Sequence, residues 1–255
     1  MSDRVRLDVD GPLARVTLSH PGKFNAMSRA MWREMRSVFE SLQAPSDLRC
    51  VIVAGEGGQF CAGGDIAEYP DFRFDEASLR EFHESEVWGG LGAMLACDLP
   101  IVAQIEGNCM GAGVEIACCC DLRVAADSAR FGAPIARLGF PMAPRETQLV
   151  LREAGAATAR EMLLEAAMLD ASELKARGFL NAVVPALEVA PQALARARRI
   201  ASLAPEAARL NKQALRALTH SEPPTALLDR AYSYAGGAEH QEGIAAFLSK
   251  RQAVF

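Results

Sequence analysis

The sequence has 255 residues, of which 50% are hydrophobic and 23% are charged, and its formal net charge is -5. The length suits one large domain or two small ones, and the composition is typical of a globular protein with a hydrophobic core. The negative charge gives no electrostatic support for binding nucleic acid. No hydrophobic run reaches the roughly 20 residues that a membrane span needs, so neither kind of partner is expected.

The cysteines indicate a reduced protein. Seven are present, and Cys118, Cys119 and Cys120 are adjacent within one predicted helix. Adjacent cysteines point in different directions around a helix, which fits buried thiols better than disulfides or a metal site. The N-terminus also lacks the hydrophobic stretch of a signal peptide. We therefore expect a cytoplasmic protein without a bound metal.

The first part of the chain mixes predicted strands and helices. Alternating hydrophobic residues predict a hairpin over residues 5–18, and Ser28 is predicted to cap a helix that ends at Pro45. Residues 66–99 are predicted to be helical but variable in character. Short hydrophobic runs typical of buried strands occur at residues 50–54, 101–105, 122–125 and 182–184.

The second part is predominantly helical. Helices are predicted near residues 146–154, 158–168, 172–177, 189–203, 206–219 and 239–250. Strands with interspersed helices, followed by a helical end, indicate the α/β class.

Two strand-to-helix junctions share one design. Five glycines lie between Gly55 and Asp65, and Gly111, Ala112 and Gly113 precede a second hydrophobic run. Small residues let the backbone approach a ligand, and the first N–H groups of a helix lack partners within it. Either junction alone is explained by a tight turn. Together they favour two N–H groups that converge on one negative oxygen. Glu115 would lie within a turn of the amides at the second junction.

At these residues the sequence resembles a known family. F-C-A-G-G-D-I (Phe60–Ile66) and G-N-C-M-G-A-G-V-E-I-A-C-C-C-D (Gly107–Asp121) are similar to the two signature segments of the crotonase, or enoyl-CoA hydratase/isomerase, superfamily. The similarity continues through F-G-A-P (Phe131–Pro134) and the tail segment Glu242–Arg251, so it covers nearly the whole chain.

The resemblance implies a fold and a substrate class. The expected fold is α/β, with a spiral of repeated ββα turns over residues 1–190 that carries an acyl-CoA site. A helical trimerisation region is expected over residues 191–255, giving a homotrimer or a dimer of trimers. Coenzyme A would be part of the substrate, and no separate cofactor is expected.

The resemblance also implies the reacting groups. In the family, a thioester carbonyl accepts hydrogen bonds from two backbone N–H groups, and the matching positions are Gly64 and Ala112. Alanine in place of the usual glycine keeps the N–H donor. Glu115 matches the first of the two glutamates that family hydratases use as acid and base.

Further matches concern coenzyme A. Lys23 matches a basic residue that contacts its phosphates, and Ala62 falls where the backbone meets the adenine. Phe247 and Lys250 match tail positions that reach a coenzyme A, often that of a neighbouring subunit; a core role for Phe247 stays open. The other coenzyme A contacts implied by the resemblance are Phe24, Ala26, Gly63, Asp65 and Ile66.

The family pattern breaks at Ile135. The second glutamate of family hydratases directly follows the Phe-Gly-x-Pro segment, where this chain has isoleucine, which cannot transfer a proton. Simple double-bond isomerases of the family often keep the second glutamate and lose the first, so their pattern is absent too. A positioned acid or base is worth roughly 10²–10⁴-fold in rate.

Three candidates for the missing group lie elsewhere in the chain. Glu146 is in a segment where some family isomerases place their base. Arg137 would bind a substrate carboxylate or pair with Glu115. His83 or Glu84, in the variable helical segment, is the third candidate.

The resulting hypothesis is an acyl-CoA enzyme of the enoyl-CoA hydratase/isomerase type, with Glu115 as the acid/base. Hydration, isomerisation, decarboxylation and C–C cleavage all use the same pair of amides. The alternatives are a catalytically weak acyl-CoA-binding protein of the same fold, which Ile135 favours, and an unrelated nucleotide-binding protein. The last is disfavoured because no Gly-x-x-x-x-Gly-Lys-Ser/Thr pattern is present.

Overall fold

The computed structural model describes residues 3–44, 46–218 and 233–255. Two of the predicted helix ends, Pro45 and residue 219, lie outside these ranges. No helix in the described part of the chain combines the length and hydrophobicity needed to cross a membrane.

The described strands form two sheets. In chain order they are β1 (Arg4–Asp10), β2 (Leu13–Ser19), β3 (Cys50–Gly55), β4 (Ile101–Ile105), β5 (Asn108–Met110), β6 (Leu122–Ala126), β7 (Arg130–Gly132), β8 (Met168–Asp170) and β9 (Ala182–Val184). The larger sheet has the order β1-β2-β3-β4-β6-β9, and the smaller has the order β5-β7-β8. β1 and β2 form the predicted antiparallel hairpin, while β2, β3, β4, β6 and β9 run parallel to one another.

Helices cover and connect these sheets. They are α1 (Arg29–Ser41), α2 (Glu76–Glu81), α3 (Trp88–Ala96), α4 (Ala112–Cys118), α5 (Pro144–Ala154), α6 (Ala156–Leu164), α7 (Ala171–Ala176), α8 (Val189–Ala201), α9 (Pro205–Leu218) and α10 (Ala238–Leu248). The Ser28 hydroxyl accepts a hydrogen bond from the Met31 N–H and caps α1, as predicted. The successions β4-β5-α4 and β6-β7-α5 are ββα units of the expected kind.

One hydrophobic core runs between the larger sheet and its helices. α1 buries Met31, Trp32, Met35 and Phe39 and packs against α3. α8 packs against β3, β4 and β6. All seven cysteines are buried free thiols, and burial raises the pKa of the Cys118 thiol. The division of the chain at residue 190 stays a prediction.

Two stretches differ from the sequence predictions. The helix predicted over residues 158–168 ends at Leu164, because Ala166 takes a left-handed conformation with φ of 53°. The chain then enters β8, which, like β5 and β7, has three residues that mix polar with apolar side chains. These strands lack the apolar run that predicted the equally short β9. The variable segment contains a 3₁₀ turn (Ile66–Asp71), α2, a π-helical turn (Phe82–Val87) and α3.

The start of α4 depends on a glycine. A Cβ added to Gly113 would lie 2.7 Å from the Cys61 carbonyl oxygen and 3.0 Å from the Cys61 Cβ. We therefore expect Gly113→Ala to reduce the unfolding free energy by about 1–3 kcal/mol, as overpacking does. Urea denaturation measures the loss. Gly92→Ala in α3 is the matched control, since the nearest atom there lies at an ordinary 3.7 Å; equal stability of the two variants would contradict this packing.

Candidate active site

Backbone hydrogen bonds bring the two glycine-rich segments together. The Cys61 N–H donates to the Asn108 carbonyl at 2.9 Å, and the Met110 N–H donates to the Cys61 carbonyl at 2.9 Å. A Cβ on Gly111 would lie 3.6 Å from the Cα of Gly63, so the backbones are in close contact. Gly111 has φ of 46°, a conformation that favours glycine. Two segments almost 50 residues apart in sequence therefore share one wall of a cavity.

The cavity has a volume of about 270 Å³. Gly64, Ala112 and Glu115, the three residues predicted to react with substrate, all line it. Most of its surface is apolar, including the side chain of Ile135. The position of the family's second glutamate therefore faces the cavity, and it presents an aliphatic group there.

Two N–H groups of this wall are unengaged. Within residues 3–44, 46–218 and 233–255, neither the Gly64 nor the Ala112 N–H donates a hydrogen bond. The loop around Gly64 is nevertheless fixed. The Met27 N–H donates to the Gly63 carbonyl at 2.8 Å, and the Asp65 N–H donates to the Met27 carbonyl at 2.8 Å. Such unengaged amides beside a mostly apolar cavity suit an oxygen that carries negative charge.

Glu115 lies in the first turn of α4 and is 9% exposed. Its carboxyl has no hydrogen-bond partner in the described part of the chain. Burial, and then the negative charge of Glu146, raise the pKa of Glu115 from 4.5 to about 8. The carboxyl is therefore mostly protonated at neutral pH and can donate a proton to a bound molecule.

The structure separates the candidates for the missing second group. His83 lines the cavity, and its Nδ1 lies 3.0 Å from Oε1 of Glu146. The Glu146 side chain is 3% exposed and lies behind the cavity wall. Glu84 forms an ion pair with Arg145 at 3.2 Å. Arg137 donates to the Ala166 carbonyl at 3.1 Å, and neither Glu84 nor Arg137 lines the cavity.

An arginine that sequence reasoning missed also lines the cavity. The Arg73 guanidinium carbon lies 3.7 Å from the ring centroid of Phe140 and 4.5 Å from that of Tyr69. Burial lowers the pKa of Arg73, and no carboxylate in the described residues offsets that effect. A Cβ on Gly64 would overlap the Tyr69 hydroxyl, so Tyr69 lies directly beside the unengaged amide. The only feature of the sequence that could have pointed to Arg73 is the mixture of aromatic and charged residues between Tyr69 and Asp75.

The residues expected at coenzyme A divide into two groups. Ala62, Gly63 and Ile66 line the cavity. Phe24, which is 60% exposed, and Ala26, which is buried, do not line it. The Lys23 ammonium pairs with the Asp65 carboxylate at 2.6 Å, and Asp65 also caps the 3₁₀ turn at Ala67. A phosphate at Lys23 would compete with this carboxylate.

The two tail residues lie away from the cavity. Neither Phe247 nor Lys250 belongs to its wall. Phe247, near the end of α10, is 82% exposed, so the alternative that it packs in the core of this chain is wrong. The structure thus leaves both side chains free of the site that the rest of the chain forms.

The buried carboxyl should make stability depend on pH. In the unfolded chain Glu115 loses its proton near pH 4.5, whereas in the folded chain it keeps the proton to about pH 8. Its contribution is therefore favourable below pH 4.5 and is lost as pH rises to about 8, by about 1.4 kcal/mol per pKa unit. We expect Glu115→Gln to gain several kcal/mol over the wild type between pH 5 and pH 8 in urea denaturation. Exposed Glu165→Gln should show no such trend, and a pH-independent difference for Glu115→Gln would contradict the raised pKa.

Comparisons with known proteins agree with this geometry. The family model for enoyl-CoA hydratase/isomerase matches residues 9–255. A probable enoyl-CoA hydratase from Mycobacterium tuberculosis is 32% identical over 256 residues, with 99% of this chain and 98% of that protein covered. The short-chain-enoyl-CoA hydratase of Clostridium acetobutylicum is 31% identical over 254 residues, with 98% and 96% covered.

Solved structures agree as well. The crystal structure of an enoyl-CoA hydratase/carnithine racemase from Magnetospirillum magneticum superposes with a TM-score of 0.95 at 36% identity, covering 100% of this chain and 96% of that one. A family protein from Hyphomonas neptunium gives a TM-score of 0.91 at 30% identity, covering 98% and 97%. The chain therefore belongs to the enoyl-CoA hydratase/isomerase family of the crotonase superfamily, with the fold and the kind of enzyme that its two glycine-rich segments predicted.

Proposed function

We propose that this enzyme acts on acyl-CoA thioesters and holds the thioester carbonyl oxygen between the N–H groups of Gly64 and Ala112. The observation that carries the proposal is that these two unengaged amides and the Glu115 carboxyl line one cavity. Polarising the carbonyl lowers the cost of an enolate, and in comparable sites one lost donor costs about 3–4 kcal/mol. The family, and the relatives named as hydratases, support an enoyl-CoA as the substrate.

Glu115 supplies the proton in this proposal. Addition of water to an enoyl thioester places a hydroxyl group on C3 and a hydrogen on C2. Because its pKa is raised to about 8, Glu115 is protonated at neutral pH and donates to C2 as the enolate collapses. Ile135 offers no second carboxyl at the position that family hydratases use.

The remainder of the substrate would extend past Ala62, Gly63 and Ile66 toward Lys23. The Lys23–Asp65 pair would open to accept a phosphate of coenzyme A. Exposed Phe247 and the nearby Lys250 would meet the coenzyme A of a neighbouring subunit, within a homotrimer or a dimer of trimers.

Glu115→Gln tests the proposed proton transfer. The amide keeps the shape of the side chain but cannot donate a proton to carbon, so we expect kcat for crotonyl-CoA hydration to fall at least about 100-fold with KM changed little. Loss of absorbance of the conjugated thioester follows the reaction. Glu165→Gln should keep wild-type rates.

The panel should extend from crotonyl-CoA to longer and branched enoyl-CoAs. Wild-type rates equal to buffer across this panel, with coenzyme A binding retained in calorimetry, would instead support a catalytically weak binding protein. Full activity of Glu115→Gln would remove the role given to that carboxyl.

Arg73 favours a second candidate reaction, decarboxylation. A guanidinium without a carboxylate partner in the described residues, in the same cavity as the amides, is suited to bind a carboxylate on the acyl group. Loss of CO₂ leaves its electron pair on the thioester as an enolate, which the two amides would stabilise. One proton donor then completes the reaction, and Glu115 provides one without a second glutamate.

A substitution that removes the charge of Arg73 but keeps a long side chain tests this second candidate reaction. For an acyl-CoA that carries a carboxylate on its α-carbon, we expect Arg73→Met to raise KM at least about 10-fold, because an interaction with a charged group is lost. Rates with the uncharged crotonyl-CoA should change less than about threefold. Arg80→Met, at an exposed i,i+4 ion pair of α2, is the matched control. Equal losses for charged and uncharged substrates would assign Arg73 to packing alone.

A further inference from the structure

We infer that His83, held in place by Glu146, is the second proton-transfer group of this site. It replaces the glutamate that family hydratases have at the position of Ile135. This inference rests on the proposed hydratase function and deepens it. It is carried by two observations: His83 and Glu115 line the same cavity, and His83 is hydrogen-bonded to the buried Glu146 carboxylate.

His83 is rigidly placed at the cavity. It lies in the π-helical turn Phe82–Val87, and its ring packs against Phe82 with centroids 5.1 Å apart. Its side chain is 21% exposed and forms part of the cavity wall. π-Helical turns are often found at functional sites, where they reorient a side chain within a helix.

The hydrogen bond to Glu146 assigns the roles of the two ring nitrogens. Nδ1 lies 3.0 Å from the Glu146 carboxylate, so Nδ1 carries a proton and donates it. Nε2 then keeps its lone pair, as in other imidazoles oriented by a carboxylate, and it has no hydrogen-bond partner in residues 3–44, 46–218 and 233–255. The imidazole is thus available as a base for a group in the cavity.

Glu146 links His83 to the reacting carboxyl. Its negative charge contributes to the raised pKa of Glu115, so the two carboxyl groups interact electrostatically. Among the neighbouring charged groups, Glu84 and Arg145 form an ion pair, and Arg73 lies on the same cavity wall as His83. Since Glu146 lies behind the wall, it positions His83 and does not itself face a substrate.

Together, His83 and Glu115 account for both proton transfers in the addition of water. Nε2 of His83 removes a proton from water as the water oxygen bonds to C3, and the electron pair of the double bond moves to the thioester oxygen as an enolate. The enolate then re-forms the carbonyl while C2 takes the proton of the Glu115 carboxyl. His83 is left protonated and Glu115 deprotonated, and transfer of one proton between them through water restores both groups. The net change is one water added per substrate.

His83→Asn tests the base directly. Asparagine retains a donor near the position of Nδ1 for the bond to Glu146 but has no titratable Nε2. We expect kcat for hydration to fall about 100-fold or more, with KM within about threefold and an unchanged melting temperature. His240→Asn, at an exposed histidine bonded to the Ala235 carbonyl, should keep activity within about twofold.

Two further measurements distinguish proton transfer from a structural role. Imidazole added to His83→Ala should restore activity in proportion to its concentration. Glu146→Gln removes the carboxylate that orients the imidazole but leaves the imidazole itself in place. We expect kcat for hydration to fall in this variant while KM stays within about threefold, and this measurement remains informative if His83 variants fold poorly.

The outcomes separate this inference from the proposed function. A wild type that hydrates enoyl-CoA and loses activity as Glu115→Gln, but keeps it as His83→Asn, would overturn the role of His83 alone. Loss of activity in His83→Ala without imidazole rescue, together with an unchanged kcat in Glu146→Gln, would overturn it as well. A wild type inactive on every enoyl-CoA would overturn the proposed function and, with it, this inference.

Discussion

The site depends on backbone pairing between two distant segments. Cys61 exchanges hydrogen bonds with Asn108 and Met110, which fixes the first glycine-rich segment against the strand that leads into α4. Among the residues that the structure describes, the N–H groups of Gly64 and Ala112, which follow these pairs, have no hydrogen-bond partner. An unengaged buried amide costs free energy in an empty protein. In the proposed function, the same pair is already positioned for an oxygen that gains negative charge during the reaction, so no rearrangement is needed.

Burial then determines the state of the acid. Glu115 sits beside an apolar wall that includes Ile135, and no residue in the described ranges donates a hydrogen bond to its carboxyl. Desolvation alone favours the neutral carboxyl, and the neighbouring charge of Glu146 acts in the same direction. The replacement of a glutamate by isoleucine therefore does more than remove one group. It also places an aliphatic side chain in the cavity where the remaining glutamate is mostly protonated at neutral pH.

The sequence predicted those structural elements that depend on local residue patterns. The hairpin, the Ser28 cap and the two small-residue junctions follow from alternation, capping chemistry and glycine content, and the structure confirms these elements. Reasoning failed where the pattern was short or non-local. The three-residue strands of the smaller sheet give no period, and the contact between His83 and Glu146 joins positions 63 residues apart. Arg73 was missed because its role depends on Phe140, from a separate loop, which stacks on its guanidinium.

The molecule divides its chemistry between two kinds of segment. The amides and Glu115 come from junctions between buried strands and helices, where the backbone is held on both sides by the sheet core. Arg73 and His83 come from residues 66–96, where a 3₁₀ turn, a short helix and a π-helical turn follow each other. In the proposed function, stabilising an enolate is common to several reactions, and a second charged or basic group decides whether water is added or a carboxylate is lost. Under this proposal the irregular segment supplies that group, so it selects among reactions that share one enolate.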